Sequence, residues 1–323
     1  MTVAVLSYHG WEISPEHLAA DVVALRSAGW RDVGLDELRV IIDRGGAGRY
    51  FHVTIDDGAK GDRACVEVLR TVSCPATLFV PLEAMAAEDH QAYESLRSCA
   101  DVAIQDHSLR HLRTFHYRHV IGFHCDERPL MTSPERLGLQ TGDPVCTFGG
   151  ELVRPRFIPD ERAVGVCRDR ARALANAPRG GDLWHAALAE ALVTNGLASW
   201  RLAKLCLVGA YETEDAFVQR IAAYLRNGFD RLRAFTGRAP DAFAHPWWQP
   251  SEAADRVLRD LGYTMTFSGR GLCRERRRFG IPRVPVTNRT ARPLDPVAIA
   301  RRESDPAAFA EHLRAIGRRL VFA

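Results

Sequence analysis

Short apolar runs at residues 3–8, 51–55, 76–80 and 102–104 alternate with helical patterns through the first third of the chain. This alternation is the strongest constraint on the fold. Strands separated by helices pair in parallel and wind into α/β sheets or barrels. Residues 15–28 carry Leu18, Val22 and Leu25 at helical spacing, behind an N-cap at Ser14 and a first-turn proline at Pro15. Residues 62–72 place Ala64, Val68 and Val72 on one helical face. The rhythm returns after residue 210. There, 215–236 reads as a long amphipathic helix stopped by Gly237, 242–244 as a strand, 252–261 as a helix and 264–267 as a strand.

In α/β barrels, chemistry sits at the C-terminal ends of strands. Two of these ends carry unusual residues. The run Tyr50-Phe51-His52-Val53-Thr54-Ile55 ends in Asp56-Asp57-Gly58, and the run 101–104 is followed by His107-Ser108-Leu109-Arg110-His111. Asp-Asp-Gly alone reads as a tight turn, and two histidines four apart read as a solvated helix face. Together, each at a strand end, they supply one carboxylate and two imidazoles, the ligand set of a catalytic divalent metal with open positions. A second carboxylate remains to act as base on an activated water. Spacing alone leaves open which aspartate does which. Adjacent strand residues point to opposite faces, so a bend enabled by Gly58 is needed to turn both carboxylates into one pocket. One helical turn after Asp106 would put both histidines on one side.

At this point Thr54-Ile55-Asp56-Asp57-Gly58 resembles the TFDDG motif of the polysaccharide deacetylases, the NodB-homology family (carbohydrate esterase family four). His107-Ser108-Leu109-Arg110-His111 resembles its HSxxH motif. Val5-Leu6-Ser7-Tyr8-His9-Gly10 is similar to the family's opening strand, and Ala76-Thr77-Leu78-Phe79-Val80 to the strand after its first motif. Phe243-Ala244-His245-Pro246-Trp247-Trp248, Leu261-Gly262-Tyr263 and Ile281-Pro282-Arg283-Val284-Pro285-Val286 resemble later segments. The likeness covers roughly residues 3–115 and 205–290.

The resemblance implies a distorted (β/α)7 barrel of the NodB-homology type, with residues 1–323 as one catalytic domain. It implies hydrolysis of an N-acetyl group on an amino sugar. Asp57, His107 and His111 would hold a divalent metal, by preference Zn2+, and Asp56 would be the base. Leu152-Val153-Arg154-Pro155-Arg156-Phe157 resembles the family's RPPY segment, although Arg156 stands where that segment has Pro and Phe157 where it has Tyr. By that match Arg154 orients Asp56, and the backbone N–H of Phe157 helps hold the oxyanion. The family's late Leu-x-His acid has no counterpart in 281–286, and beyond residue 245 the only histidine is the distant His312. His245 is therefore the candidate to protonate the leaving amine. His9 is a further residue lining the site, and Trp247 and Trp248 are candidates to stack on a sugar face. Residues 116–205 read as a mainly helical and loop insertion capping the active-site mouth. Within it, a polar loop through residue 150 carries His116, His119 and His124, and 152–158 reads as a strand. Two rivals stay open: an amidohydrolase acting on a cyclic imide or ureide, and a non-catalytic binding protein on the same scaffold. The latter would be expected to have a broken ligand set, and the set here is complete.

Composition narrows the setting. A net charge of +3 is too mild to argue for nucleic acid or a membrane surface, and 46% apolar residues suffice for a substantial core. The eight cysteines include no CxxC pair and read as reduced, buried thiols. Met1 runs directly into the first strand with no signal-like segment, and no window reaches bilayer-spanning length. The expectation is a cytoplasmic enzyme acting on a soluble sugar, nucleotide sugar or biosynthetic intermediate.

Overall fold

The computed structural model describes residues 1–126, 137–174 and 178–286. It divides into two compact units, Met1–His111 with Ala222–Ala323, and Leu112–Ile221. The first begins with β1 (Thr2–His9), α1 (Pro15–Ser27), β2 (Arg31–Asp32), α2 (Leu35–Arg44) and β3 (Arg49–Asp56). It continues with α3 (Asp62–Thr71), β4 (Ala76–Val80), α4 (Ala87–Leu96) and β5 (Val102–Asp106). Helix α1 starts as its sequence specifies. Ser14 Oγ accepts from His17 N at 3.3 Å, Pro15 occupies the first turn, and Leu18, Val22 and Leu25 are buried.

The second unit is wider than the 116–205 insertion read from sequence, and beside its helices and loops it holds five short strands and one long one. It contains β6 (Arg113–Phe123), β7 (Pro144–Gly150), β8 (Phe157–Pro159), α5 (Glu161–Ala173), α6 (Asp182–Thr194), β9 (Ala198–Arg201), β10 (Lys204–Leu207) and β11 (Gly209–Tyr211). Strands β6 and β7 lie in the stretch read as polar loop. Their pairing is broken by register shifts on either side of Val120. Such bulges erase the two-residue alternation by which a strand is recognised. Conversely, only Phe157 and Ile158 of the strand expected at 152–158 fall in β8, because Pro155 has no N–H to give a ladder. Phe123, Cys146, Cys167, Trp184, Leu188 and Leu192 form a core made entirely within this unit.

Helix α7 (Glu214–Thr236) begins in the second unit and ends in the first. β12 (Ala242–Ala244), α8 (Glu252–Asp260), β13 (Met265–Arg270) and β14 (Ile281–Pro285) complete the barrel. The parallel strand order is β1-β14-β13-β12-β5-β4-β3, and the β1–β3 pairing closes the ring at seven strands, with β2 attached outside β3. The structure is thus the (β/α)7 barrel expected from the sequence. Both faces of its strands are buried. Ala4, Leu6, Tyr8, Phe51, Val53 and Ile55 pack with α1 and α3, while Val3, Val5, Phe79, Ala244, Met265 and Phe267 form a separate cluster. Burial on two sides explains why the strands read as continuous apolar runs. The inward set alternates with the outward one and turns polar toward the C-terminal end, where Ser7, Thr54, Asp56, Gln105 and Arg283 are all buried. Among the described residues no helix is long and apolar enough to cross a membrane.

Candidate metal centre and active site

The closing β1–β3 pairing sets His9 beside Asp56, in register at the C-terminal ends of two adjacent strands. Asp56 is the last residue of β3 and points inward. Its carboxylate accepts from Ser7 Oγ at 3.2 Å, and Arg283 Nη1 lies 2.7 Å from each of its oxygens. Arg283 is 1% exposed, so this is a buried charge-assisted pair. The sequence reading assigned this role to Arg154. In the structure, Arg154 belongs to the second unit, donates to the Tyr117 hydroxyl and lies over its ring. Arg283 takes the position because β14 neighbours β1 in the ring and the pleat turns residue 283 inward. Phe157, expected to offer its N–H to an oxyanion, is a core residue of the second unit, with its ring 5.3 Å from Tyr211.

Asp57 leaves the strand in the left-handed region at φ 77, followed by Gly58 at φ 63. Two successive positive φ values reverse the chain and bring the second carboxylate to the same side as the first. A side chain at 58 would meet Met85 Cγ at 2.7 Å, so glycine is favoured there both for space and for φ. After β5 the expected helical turn does not form. Ser108 has φ 66 and His111 φ 53, and Ser108 Oγ accepts from His111 N at 3.1 Å. This tight turn, rather than a helix face, brings the imidazoles together, with ring centroids 4.7 Å apart. Non-glycine residues at positive φ are uncommon and cluster at functional sites. Asp57, Ser108, His111, Trp247 and Trp248 all adopt it here.

Asp57 Oδ1 is 3.5 Å from His107 Nε2 and 3.4 Å from His111 Nε2. The three ligand atoms lie within 4.8 Å of one another, and no other such trio occurs among the described residues. His107 Nδ1 sits 2.8 Å from the Ala244 carbonyl oxygen, which makes Nδ1 the donor and leaves the Nε2 lone pair facing Asp57. Asp57 Oδ1 is buried without a hydrogen-bond partner. An orphaned carboxylate oxygen costs free energy unless something positive meets it. Ligands bound at about 2.1 Å stand about 3.4 Å apart at the tetrahedral angle, so the donor set fits a zinc-like ion. Burial alone would raise the Asp57 pKa, but His111, His107 and His9 hold it well below the usual carboxylate range.

His9 flanks the doublet, with Nε2 3.9 Å from Asp57 Oδ2 and Nδ1 3.4 Å from Glu12 Oε2. Burial works against its charge, yet Glu12, Asp57 and Asp56 together raise its pKa. His245, the expected acid, is wholly buried. Its Nε2 is 2.8 Å from Asp255 Oδ1, and its ring meets Phe243 edge-on. Trp247 lies 4.4 Å from the His111 ring, and Trp248 meets His9 at 5.8 Å. Trp11, 60% exposed and 5.6 Å from His9, is a further aromatic the sequence reading passed over, although it stands two residues beyond His9. A hollow of about 590 Å³ lined by Leu35, Glu37, Arg97, Gln105 and Asp241 lies where β4 and β5 begin; no residue of the doublet or the histidine pair lines it. His312 lies outside the described residues.

Fold and site define a class: a closed parallel (β/α)7 barrel with an Asp-His-His cluster and a spare buried aspartate at its strand ends. No protein-family model and no curated protein sequence matches the chain. Solved structures do. The BpsB deacetylase domain from Bordetella bronchiseptica is 14% identical, with a TM-score of 0.55, over 88% of this chain and 95% of that one. A de-N-acetylase from Aggregatibacter actinomycetemcomitans is 12% identical, with a TM-score of 0.53, over 88% and 94%. The chain therefore has the NodB-type barrel fold of these deacetylases.

Proposed function

We propose that this protein is a metal-dependent N-deacetylase that hydrolyses the acetamido group of an amino sugar. The observation that carries the reading is the buried, unpartnered Asp57 Oδ1 faced by two imidazole Nε2 atoms. Asp57, His107 and His111 would hold a divalent ion, with zinc the best fit to one carboxylate and two neutral imidazoles. When bound, the ion supplies Lewis acidity to the acyl carbonyl and acidifies water. The remaining steps belong to the chain's own residues. Asp56, oriented by Ser7 and Arg283, takes a proton from the attacking water. His9, whose surrounding carboxylates favour its protonated form, gives a proton to the departing amine through Nε2. Trp11, Trp247 and Trp248 flank the imidazoles as apolar walls on which a pyranose ring can stack. The fold relatives named above are deacetylases, which supports the reaction class. The substrate proposed is an amino-sugar-containing small molecule or glycoconjugate precursor.

The test is metal analysis and acetate release from N-acetylated sugars, for the wild type, Asp57→Ala and Asp56→Asn. Asp57→Ala is expected to lose bound metal and activity together. Asp56→Asn is expected to keep metal and lose about 10²–10⁴-fold in kcat. Metal retained in Asp57→Ala, or full turnover in Asp56→Asn, would refute the assigned roles.

A further inference from the structure

Near its C-terminal end β13 carries an extra residue. Phe267 pairs with Ile281 and Arg270 with Arg283, so three steps on β13 match two on β14, with Gly269 at φ +72 inside the irregularity. A bulge of one residue switches the face of every side chain beyond it. Arg283 points inward to Asp56. Arg270, in register with it, is therefore turned toward the barrel interior instead of the helices. Its guanidinium lies over the Trp248 ring, 4.8 Å from the centroid. Trp248 in turn packs edge-on against His9, and His9 Nε2 is 3.9 Å from Asp57 Oδ2. The cation thus stands one indole beyond the imidazole that flanks the candidate centre.

Four other arginines of this unit have carboxylate partners. Arg26 pairs with Asp32, Arg39 with Asp241, Arg278 with Asp43 and Arg283 with Asp56. Arg270 has the Trp248 ring and neither a carboxylate nor a hydrogen-bond acceptor among the described residues. It is half-buried, and burial disfavours its charge. The Trp248 indole Nε1 is also buried without an acceptor. This corner of the site is rich in donors and short of acceptors. A desolvated cation without a counter-ion is costly, and an arriving anion relieves that cost.

We propose that Arg270, seated over the Trp248 ring, is the recognition arm for an anionic group, a carboxylate or a phosphate ester, carried by the N-acylated substrate. This deepens the reading of the site as a deacetylase and rests on it. A guanidinium offers parallel N–H donors that match either anion bidentately. An N-acetylated sugar bearing such a group is selected over its neutral counterpart, and a polymer already made cationic by deacetylation is repelled.

The test is calorimetric binding of N-acetylglucosamine 1-phosphate, N-acetylmuramic acid and N-acetylglucosamine to the wild type, Arg270→Gln and Arg270→Lys. The wild type is expected to favour at least one anionic probe over the neutral one by roughly 10- to 100-fold. Arg270→Gln, which keeps a planar group over Trp248, should bring that ratio toward one. Arg270→Lys, which keeps the charge without the fork, should give an intermediate ratio. Which anionic probe gains identifies carboxylate or phosphate. A wild type without preference, or a preference unchanged in Arg270→Gln, overturns the proposal. Because binding is read instead of turnover, a preference that persists alongside failure to release acetate from any substrate would sink the deacetylase reading and leave the anion arm standing.

Discussion

At the scale of single residues, the site combines groups that local spacing reveals with one it hides. Asp56 and Asp57 are adjacent, and His107 and His111 share one motif, so their chemistry is written in short stretches. Arg283 lies 227 positions from Asp56. It reads as one arginine among many, in a segment recognisable only as a strand. The usable signal was parity: alternation along β14 puts Arg283 on the face opposite Val284, which packs with the outer layer. A short motif resembling a familiar one points to Arg154 instead, and no local rule shows that it belongs to a separate unit. The Arg283–Asp56 pair is fully buried, so removing one partner strands a charge. Arg283→Met should cost about 3–5 kcal/mol in denaturant unfolding. The cost should shrink markedly when Asp56→Asn is already present, since neither charge then remains. Equal costs in both backgrounds would mean that the guanidinium does not act through Asp56. In the single variant, bound metal should persist while kcat falls, because Asp57, His107 and His111 are untouched.

At the scale of elements, strands with two buried faces announced themselves, and so did helices with a broad apolar stripe such as α1, α3 and α7. Helix α4 buries only Tyr93 and Leu96, and β2 is two residues long. Neither leaves a periodic trace strong enough to read. The i and i+4 spacing of the histidine pair predicts a helical turn, but it is also satisfied by a loop in which Ser108 and His111 reverse in φ. Polar residues inside β3 were likewise opaque until the ring closed around them. His52 is the clearest case: it is fully buried, with Nδ1 2.7 Å from the Val33 carbonyl oxygen and Nε2 3.0 Å from Thr77 Oγ1. It bridges β3, the segment after β2, and β4. Burial lowers its pKa to about 4. An unfolded histidine titrates near 6.5. The stability held by neutral His52 is therefore complete above about pH 6.5 and is lost as the pH falls toward 4, up to about 3 kcal/mol in all. Asp62 acts oppositely. Its carboxyl is raised to about 7 by burial, so its contribution is lost as the pH rises from 4 to 7. The two are separated by difference: urea unfolding of wild type minus His52→Gln, measured at pH 7.5 and pH 5.0. The difference should narrow by about 2 kcal/mol at the lower pH. No change in it would show that His52 titrates alike in the folded and unfolded chains.

At the scale of the whole molecule, the decisive fact is that every residue of the candidate centre lies in one of two units. Asp57, His107 and His111 all precede Leu112, and Arg270 and Arg283 follow Ile221. The second unit has its own core around Trp184, Leu188 and Cys167, drawn from no residue outside it. A core of that kind opens as its own cooperative unit. An ion that binds only the folded barrel stabilises the barrel by about 2.7 kcal/mol when its free concentration is 100 times its dissociation constant. That free energy corresponds to about 100-fold slower hydrogen exchange for amides that exchange by opening of the whole barrel unit. Adding zinc to the metal-free protein should therefore slow exchange in β3, β4 and β5 and leave α5 and α6 nearly unchanged. Asp57→Ala should abolish the protection in the strands. Protection spread evenly over both units would mean that they unfold together, since a ligand held by one could then reach the other only through a shared transition. Protection in α5 and α6 alone would place the ion outside the barrel and remove Asp57 from its ligands.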